Sequence, residues 1–493
     1  MKGDAGALRD SILDLAVVGG GVAGSYVASF IRKARPDWSI ALFERSSRIG
    51  GRLHSIHPPE LTEPIELGGM RYLTDQTRMT ALIDELGVQT RPFIAAEHEE
   101  DRLVLRGRSS RAGADAGQAY DLTADERGLS DGELLARAFE QLVPGVSSVD
   151  ADACVALCQG ARFRDGRLSD VPIAAALATA LSPEATRFVM DAFGYYSGIN
   201  AFNAADLIPF LLRNNPNAKA RTPVAGMDVI PRSLAMRFAA AGGTTRLGHE
   251  LIAVRLERTA AGAVAQRLRF ANGASLTTRR LVLALPLRAL EMLAAGTPTL
   301  QSPDVRELLH AVAPWPATKL YLWYERAWWR DRGFRGRRVI TDLGLRKLYY
   351  LDDRSNGSPA LLLAAYTDGP DVESWRALAE GAPAGAPASE RLLEEVTRQL
   401  RMVHPEIDVP RPLGSSFVLW GSDAHECAWH FWSAGARSQE MLPRMIRPDP
   451  TIALFVCGEA WSRAQSWVEG ALETAAMVCE SLVAQPDSTL STG

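Results

Sequence analysis

Cysteine and lysine are equally scarce in this chain. The 493 residues hold five cysteines, Cys154, Cys158, Cys427, Cys457 and Cys479, an odd number with no CxxC pair. That excludes a disulfide scaffold and a zinc ribbon, and reduced thiols in a cytoplasmic compartment are expected. Cys154 and Cys158 stand one helical turn apart, yet with no histidine nearby they read as core packing. There is no HExxH, GxSxG or GxxxxGK[ST], so metalloprotease, serine hydrolase and P-loop chemistry lack their minimal parts. Long apolar runs are missing too: Val171 to Leu181 and Leu281 to Leu287 fall well short of the roughly 20 residues that span a bilayer. Met1 to Arg9 contains the acidic Asp4 and leads into an apolar run of only about six residues, so export is not expected. Nor is there an excess of basic charge. With 54 Lys and Arg against 58 Asp and Glu, the net charge of -4 supplies no field for nucleic acid or anionic lipid, and a small molecule is the expected partner.

What is present is the composition of a folded globular protein, 47% hydrophobic and 23% charged, too long for one core and therefore expected to form two or three domains. The first unit reads as a strand (Leu13 to Val18), a glycine turn, a helix to Arg35 and a second strand (Ser39 to Phe43). Arg106 to Gly117 and Gly381 to Ser389 read as surface loops. Between Leu122 and Leu212 the apolar spacing is helical, whereas Leu247 to Leu285 and Lys319 to Tyr366 read as short strands. A strand at Ile452 to Cys457 and a long helix through Gly470 to Ala484 close the pattern, and Gln485 to Gly493 is expected to fray.

Gly19, Gly21 and Gly24 form a GxGxxG directly after a strand and opening a helix, and Glu44 ends the next strand 20 residues past the last glycine. Gly19 suits the tight turn, Gly21 the approach of a pyrophosphate and Gly24 the closure of helix on strand. Val22 and Ala23 would offer helix N-terminal N–H groups to the phosphates, and Glu44 would accept from a ribose, so nucleotide binding is expected. Beyond Glu44 and Arg45 comes Arg48-Ile49-Gly50-Gly51-Arg52, a glycine pair flanked by arginines and suited to a phosphate or a flavin edge.

With Glu44 and the RxGGR run the chain resembles the FAD-dependent amine oxidase superfamily, which includes monoamine oxidases and L-amino acid oxidases. Glu66-Leu67-Gly68-Gly69-Met70-Arg71-Tyr72 is similar to the stretch by which L-amino acid oxidases present an arginine to the substrate's α-carboxylate, which implies that role for Arg71; pairing of Arg71 with an acid such as Glu66 stays open. Only Lys2, Lys33, Lys219, Lys319 and Lys347 are lysines, and Lys319 sits inside an apolar strand, where an ammonium needs a partner or must snorkel to water. Its segment resembles the strand whose lysine holds a water against the flavin N5. Asp342 to Tyr350 resembles a segment of bacterial L-tryptophan oxidases, which implies that Tyr349 faces the substrate; strand alternation sends Tyr350 the other way, and sheet packing of both is the alternative. Gly458-Glu459 with Trp467-Val468 resembles the C-terminal FAD-binding element, Trp467 walling the substrate pocket, and Ser466 stands where many relatives have glycine.

The resemblance implies an α/β fold: a Rossmann-like FAD-binding domain (1–80, 222–298 and 446–485, with Val254 against the cofactor), a mixed-sheet substrate domain (81–110 and 299–445) and a helical insert (111–221). It implies non-covalent FAD; Cys427 aligns with the cysteine to which monoamine oxidases attach flavin, and simple packing is its alternative. The function implied is oxidative deamination of an L-amino acid by hydride transfer from Cα to flavin N5, giving 2-oxo acid, ammonia and hydrogen peroxide, with Arg71, Lys319, Tyr349 and Trp467 as catalytic residues and no metal. The pattern stands nearest the tryptophan and basic-amino-acid oxidases. Tyr349 and Trp467 suit aromatic stems, while Asp206 on the insert would suit arginine or lysine. An amine or polyamine oxidase, a decarboxylating amino acid monooxygenase and a non-catalytic flavin binder remain as alternatives. The partners expected are the amino acid and O2, with no nucleic acid and no membrane, and a homodimer is left open.

Overall fold

The computed structural model describes residues 12–94, 101–212, 218–259, 262–332, 338–351 and 359–484, so the expectations for Met1 to Arg9 and for Gln485 to Gly493 lie outside the described residues. Two seven-stranded sheets organise it. The first is centred on Ile12–Val18, which lies parallel to Ile40–Phe43 on one side and Ser275–Leu283 on the other, with Thr244–Arg246 and Leu454–Val456 added in parallel. A central parallel strand is covered on both faces, which is why Leu15, Ala16, Val17 and Val18 form an unbroken apolar run with no polar alternation. The helix Val22–Ala34 supplies one cover and packs against Val229–Ala240 and Val468–Ala484. Leu251–Arg258 and Val264–Phe270 extend the sheet as an antiparallel hairpin. The sequence boundaries for this unit move by one or two residues, as fraying ends do.

The second sheet runs in the order Gly414–Trp420, Ala317–Tyr324, Ala360–Asp368, Lys347–Tyr350, Arg338–Thr341, Arg102–Leu105, Arg108–Arg111. Its pairs are antiparallel except Arg338–Thr341 with Arg102–Leu105. Strand alternation divides its side chains cleanly. Leu320, Leu322, Leu348, Tyr350 and Leu362 pack under the amphipathic helix Glu390–Val403, while Tyr321, Trp323, Tyr349 and Leu363 face the opposite way, towards Leu67, Met70 and Phe93. The two tyrosines therefore part company as the alternation predicts.

Between these sheets in sequence come helices at Asp131–Leu142, Ala151–Gly160, Ile173–Ala180, Pro183–Phe193, Tyr196–Asn200 and Ala204–Leu212, interrupted by one short hairpin, Arg162–Phe163 with Gly166–Arg167. The expected loop at Arg106 to Gly117 is instead an edge strand, Arg108–Arg111, followed by a 3-10 turn at Ala114–Ala119. An edge strand of Arg-Ser-Ser-Arg buries no apolar face, so hydropathy cannot reveal it. Gly381 to Ser389 carries no regular element. Among the described residues no helix is long and apolar enough to cross a membrane, and all five cysteines are free and buried.

Candidate active site

A cleft of about 510 Å³ opens between the sheets, lined at once by the glycine turn and Glu44 from the first and by Lys319, Tyr366 and Trp420 from the second. The glycines differ in what compels them. Gly19 has φ +111°, and a Cβ there would lie 2.3 Å from the Ala284 carbonyl oxygen; one on Gly24 would lie 1.9 Å from the Gly19 oxygen. A Cβ on Gly21, with an ordinary negative φ, meets nothing nearer than the Gly51 Cα at 3.9 Å. The protein itself thus forbids a side chain at Gly19 and Gly24, whereas at Gly21 only an occupant of the cleft would. Gly24→Ala is therefore expected to cost about 1–3 kcal/mol of fold stability by overpacking. Gly21→Ala is expected to leave thermal unfolding of the FAD-free protein within about 0.5 kcal/mol of the parent and to lower FAD retention, a contrast read by melting with and without added FAD.

The remaining parts fit the dinucleotide. Val22 and Ala23 line the cleft in the first turn of the helix, where N–H groups have no helical partners. The Glu44 carboxylate is aimed by the N–H of Gly20 (2.7 Å) and of Ser46 (2.8 Å) and retains lone pairs for a ribose. Arg48 folds back onto the carbonyls of Gly51 (2.7 Å) and Leu53 (3.2 Å), and Gly50 donates to the Gly20 carbonyl (2.9 Å), which joins the second glycine pair to the first turn. Arg45 lines the cleft and pairs with Asp423 (3.0 Å) and Glu426 (3.5 Å). On the strand Leu251–Arg258 the wall is formed by Leu251 and Ile252, while the Val254 N–H is bonded to Thr297 Oγ1 at 3.1 Å.

The C-terminal element brings Gly458, Glu459, Trp467 and Val468 to the same cleft. Glu459 accepts from Arg52, from His430 Nδ1 (2.6 Å) and from the Ser466 N–H (3.0 Å). Burial opposes its charge, but Arg52 and His430 outweigh burial and hold the carboxyl at about 2. Burial likewise opposes an imidazolium at His430, and there Cys427 and Glu459 prevail and lift it to about 9. Cys427 Sγ is 3.2 Å from His430 Nε2. Ser466 adopts φ +67°, the left-handed backbone of a glycine, so the serine keeps the turn that glycine would make.

On the second sheet Lys319 is 2% exposed and does not snorkel. Its Nζ donates to the carbonyls of Glu66 (3.1 Å) and Gly68, and it lies 4.9 Å from the centre of the Tyr366 ring. Burial brings its pKa down to about 7, against the pull of Glu66. Glu66 does not pair with Arg71: its carboxylate takes the Ser55 hydroxyl and the Met227 N–H (both 2.8 Å). Arg71 instead gives Nη1 to the Tyr349 hydroxyl at 3.1 Å and lies over the Phe93 and Tyr349 rings at 5.2 and 5.4 Å. Among the described residues no carboxylate pairs with it. Gly68 and Gly69 line the cleft and Met70 is buried beside them, whereas half-buried Arg71 and buried Tyr349 are not among the residues that line it. Tyr195, Tyr366 and Trp429 complete an aromatic box, their rings edge to face at 5.4 to 6.2 Å.

Asp206 is a correction. It sits inside the insert, bonded to Ser438 (2.5 Å) and Gln159 (2.9 Å), pushed up to about 7 by burial and away from the cleft, so it does not meet a basic substrate there. Sequence reasoning missed Tyr195, Tyr366, Arg338, Lys347 and His430. Lys347 was within reach, being one of five lysines and two residues from Tyr349 on one strand; Tyr195 and His430 come from distant segments with no motif to mark them.

The chain matches the family model for flavin containing amine oxidoreductase over residues 33–483. Aplysianin-A of Aplysia kurodai is 27% identical over 94% of this chain and 89% of its own length. The flavin-dependent L-tryptophan oxidase RebO of Lentzea aerocolonigenes is 25% identical over 94% and 96%. Among solved structures, wild-type putrescine oxidase bound to putrescine superposes with a TM-score of 0.71 at 17% identity, covering 96% of this chain and all of that one.

Proposed function

The chain belongs to the flavin containing amine oxidoreductases, an FAD-dependent oxidoreductase family, and from that premise we propose that its substrate is an L-amino acid, oxidised at the Cα–N bond to the 2-oxo acid and ammonia. FAD, when bound, supplies the acceptor for a hydride and passes the electrons to O2 as hydrogen peroxide. Gly19, Gly21, Val22, Ala23 and Gly24 would hold its pyrophosphate and Glu44 a ribose. Gly50, Gly51 and Arg52, with Gly458, Glu459 and Val468, would flank the remainder.

The observation that carries the substrate class is Arg71: a half-buried guanidinium over the Phe93 and Tyr349 rings, with no carboxylate partner among the described residues. Burial works against its charge, but the phenols of Tyr349, Tyr195 and Tyr366 outweigh it and keep the fork charged. A planar fork holds a carboxylate by two parallel hydrogen bonds, which fixes Cα while the aromatic box excludes water. Trp467 would wall the pocket and Lys319, pinned to two carbonyls, would keep a fixed amine at its floor.

A second reading, an amine or polyamine oxidase, draws on the aromatic box, which suits an alkylammonium, and on the shared fold. The free thiols accord with a cytoplasmic setting. Anaerobic addition of L- and D-amino acids, putrescine and spermidine, followed by peroxide release in air, tests the choice. Bleaching of the flavin by L-amino acids with 2-oxo acid as product is expected. Bleaching by amines alone would transfer the assignment to the second reading, an amide product would make the protein a decarboxylating monooxygenase, and no bleaching would leave a flavin binder. Acid precipitation that leaves the yellow colour in solution is expected, whereas colour in the pellet would mark a covalent bond at Cys427.

A further inference from the structure

One wall of the cleft belongs to neither sheet. Residues 421–428 leave the second sheet at the end of Gly414–Trp420, turn at Gly421 (φ +101°) and rejoin regular structure at Trp429–Trp432. They form no helix or strand, yet His425, Glu426, Cys427 and Ala428 line the cleft together with Arg45 and Glu250 of the first sheet's side. The other walls are held by regular structure: the glycine turn follows a strand paired on both sides, Lys319 lies in a strand paired on both sides, and Val468 opens a helix packed against Val22–Ala34.

What fastens 421–428 across the cleft is made of side chains. Arg45, just after Ile40–Phe43, reaches Asp423 (3.0 Å) and Glu426 (3.5 Å). His425 stands between two acids, its Nε2 3.1 Å from Glu250 and its Nδ1 3.0 Å from Asp423. Arg52 Nη1 donates to the Ala428 carbonyl at 3.3 Å. The backbone of the segment bonds elsewhere, Glu426 N–H to the Asp423 carbonyl (3.1 Å) and Ala428 N–H to that of Trp315 (2.9 Å), and among the described residues no backbone pair joins it to the first sheet. Burial would raise the Asp423 carboxyl, but His425 and Arg45 prevail and hold it below the ordinary range, whereas burial and Asp423 push Glu426 up, so Asp423 is the firmer tie. Such partly exposed pairs are individually weak, and they can part without breaking a strand or a helix.

We propose that residues 421–428 are the gate of the FAD cleft, a strap clasped to the first sheet's side by Arg45, Glu250 and Arg52 that opens to admit and release the cofactor. The gate serves whichever substrate the protein oxidises.

A gate and a mere contact differ in kinetics. A side chain that only touches bound FAD shortens its stay and leaves its entry alone, whereas a gate that opens more often speeds both. The test measures FAD release from the holoprotein by the rise of flavin fluorescence on dilution, and entry by the quenching of FAD added to the apoprotein. Asp423→Asn combined with Glu250→Gln, isosteric changes at partly exposed positions, is expected to raise both rates about tenfold and to leave Kd within about threefold of the parent, the effect of losing a few such pairs. Arg45→Gln, which undoes the clasp from the other side, is expected to do the same, so the proposal stays open to refutation if one variant fails to fold. Faster release with unchanged entry would make these residues contacts of the cofactor and overturn the gate. So would rates that stay within about twofold of the parent in either variant, since the pairs would then be surface neighbours without a role.

Discussion

Arg71→Met is expected to lower kcat/KM for amino acid substrates by about 30- to 4,000-fold, the range that follows from losing one partner of a buried, hydrogen-bonded charge pair at about 2–5 kcal/mol. Three features place the expectation in the upper half of that range. The half-buried guanidinium lies over the Phe93 and Tyr349 rings, which limits the water that could replace it at the carboxylate. Its fork would fix Cα and the side chain together, so misplacement would be felt in the rate of flavin reduction as well as in affinity. Lys319 does not substitute for it, because its ammonium is committed to the carbonyls of Glu66 and Gly68. Arg71→Lys is expected to recover only a part, since a point charge cannot make the paired hydrogen bonds. Stopped-flow reduction under anaerobic conditions, with the rate followed against substrate concentration, separates the two contributions. If Arg71→Met reduced its flavin with amino acids within about threefold of the parent, the carboxylate role would be lost.

How much of this was legible beforehand depends on whether a residue's reason lies in its own neighbourhood. The first strand, the glycine turn and Glu44 are local: the apolar run, the GxGxxG and the acid at the strand end lie within one strand-helix-strand unit, and the structure shifts only its ends. Lys319 stood out because an ammonium inside ATKLYLWY contradicts its surroundings, and its burial and two carbonyl partners resolve the contradiction. The pocket beyond it was not legible. Tyr195 arrives from the helical insert, Arg338 acquires its place through strand register, and Lys347 was passed over because Tyr349 offered a resemblance and it did not. Asp206 shows the converse failure. An acid on the insert suggested a substrate partner, but Ser438, 232 residues later, closes over it. Arg108–Arg111 was missed for a plainer reason, since an exposed edge strand leaves no apolar signature.

Glu459→Gln is expected to be the most damaging change to the fold around the cofactor, costing about 3–5 kcal/mol, because it strips the carboxylate from a buried arrangement in which Arg52 and His430 both depend on it. The pH dependence identifies the mechanism. The Glu459 carboxyl is held at about 2, below its ordinary value of 4.5, so its stabilisation is present above 4.5 and is lost as pH falls through about 2. His430 is lifted from 6.5 to about 9, so its contribution is complete below 6.5 and is lost as pH rises through about 9. The parent is therefore expected to have its highest Tm from this group of residues between 4.5 and 6.5, declining towards 9. In Glu459→Gln the alkaline decline should flatten, because the imidazolium has lost its carboxylate and retains Cys427 alone. Retention of FAD should fall in parallel, since the Ser466 N–H bonded to Glu459 sets the turn that leads into Trp467 and Val468 at the cleft wall. Thermal unfolding across this pH range, with the flavin-to-protein ratio measured at each point, decides the matter. A variant that keeps the parent's alkaline slope and its full complement of flavin would show that Arg52, His430 and Glu459 are neighbours without being an energetic unit.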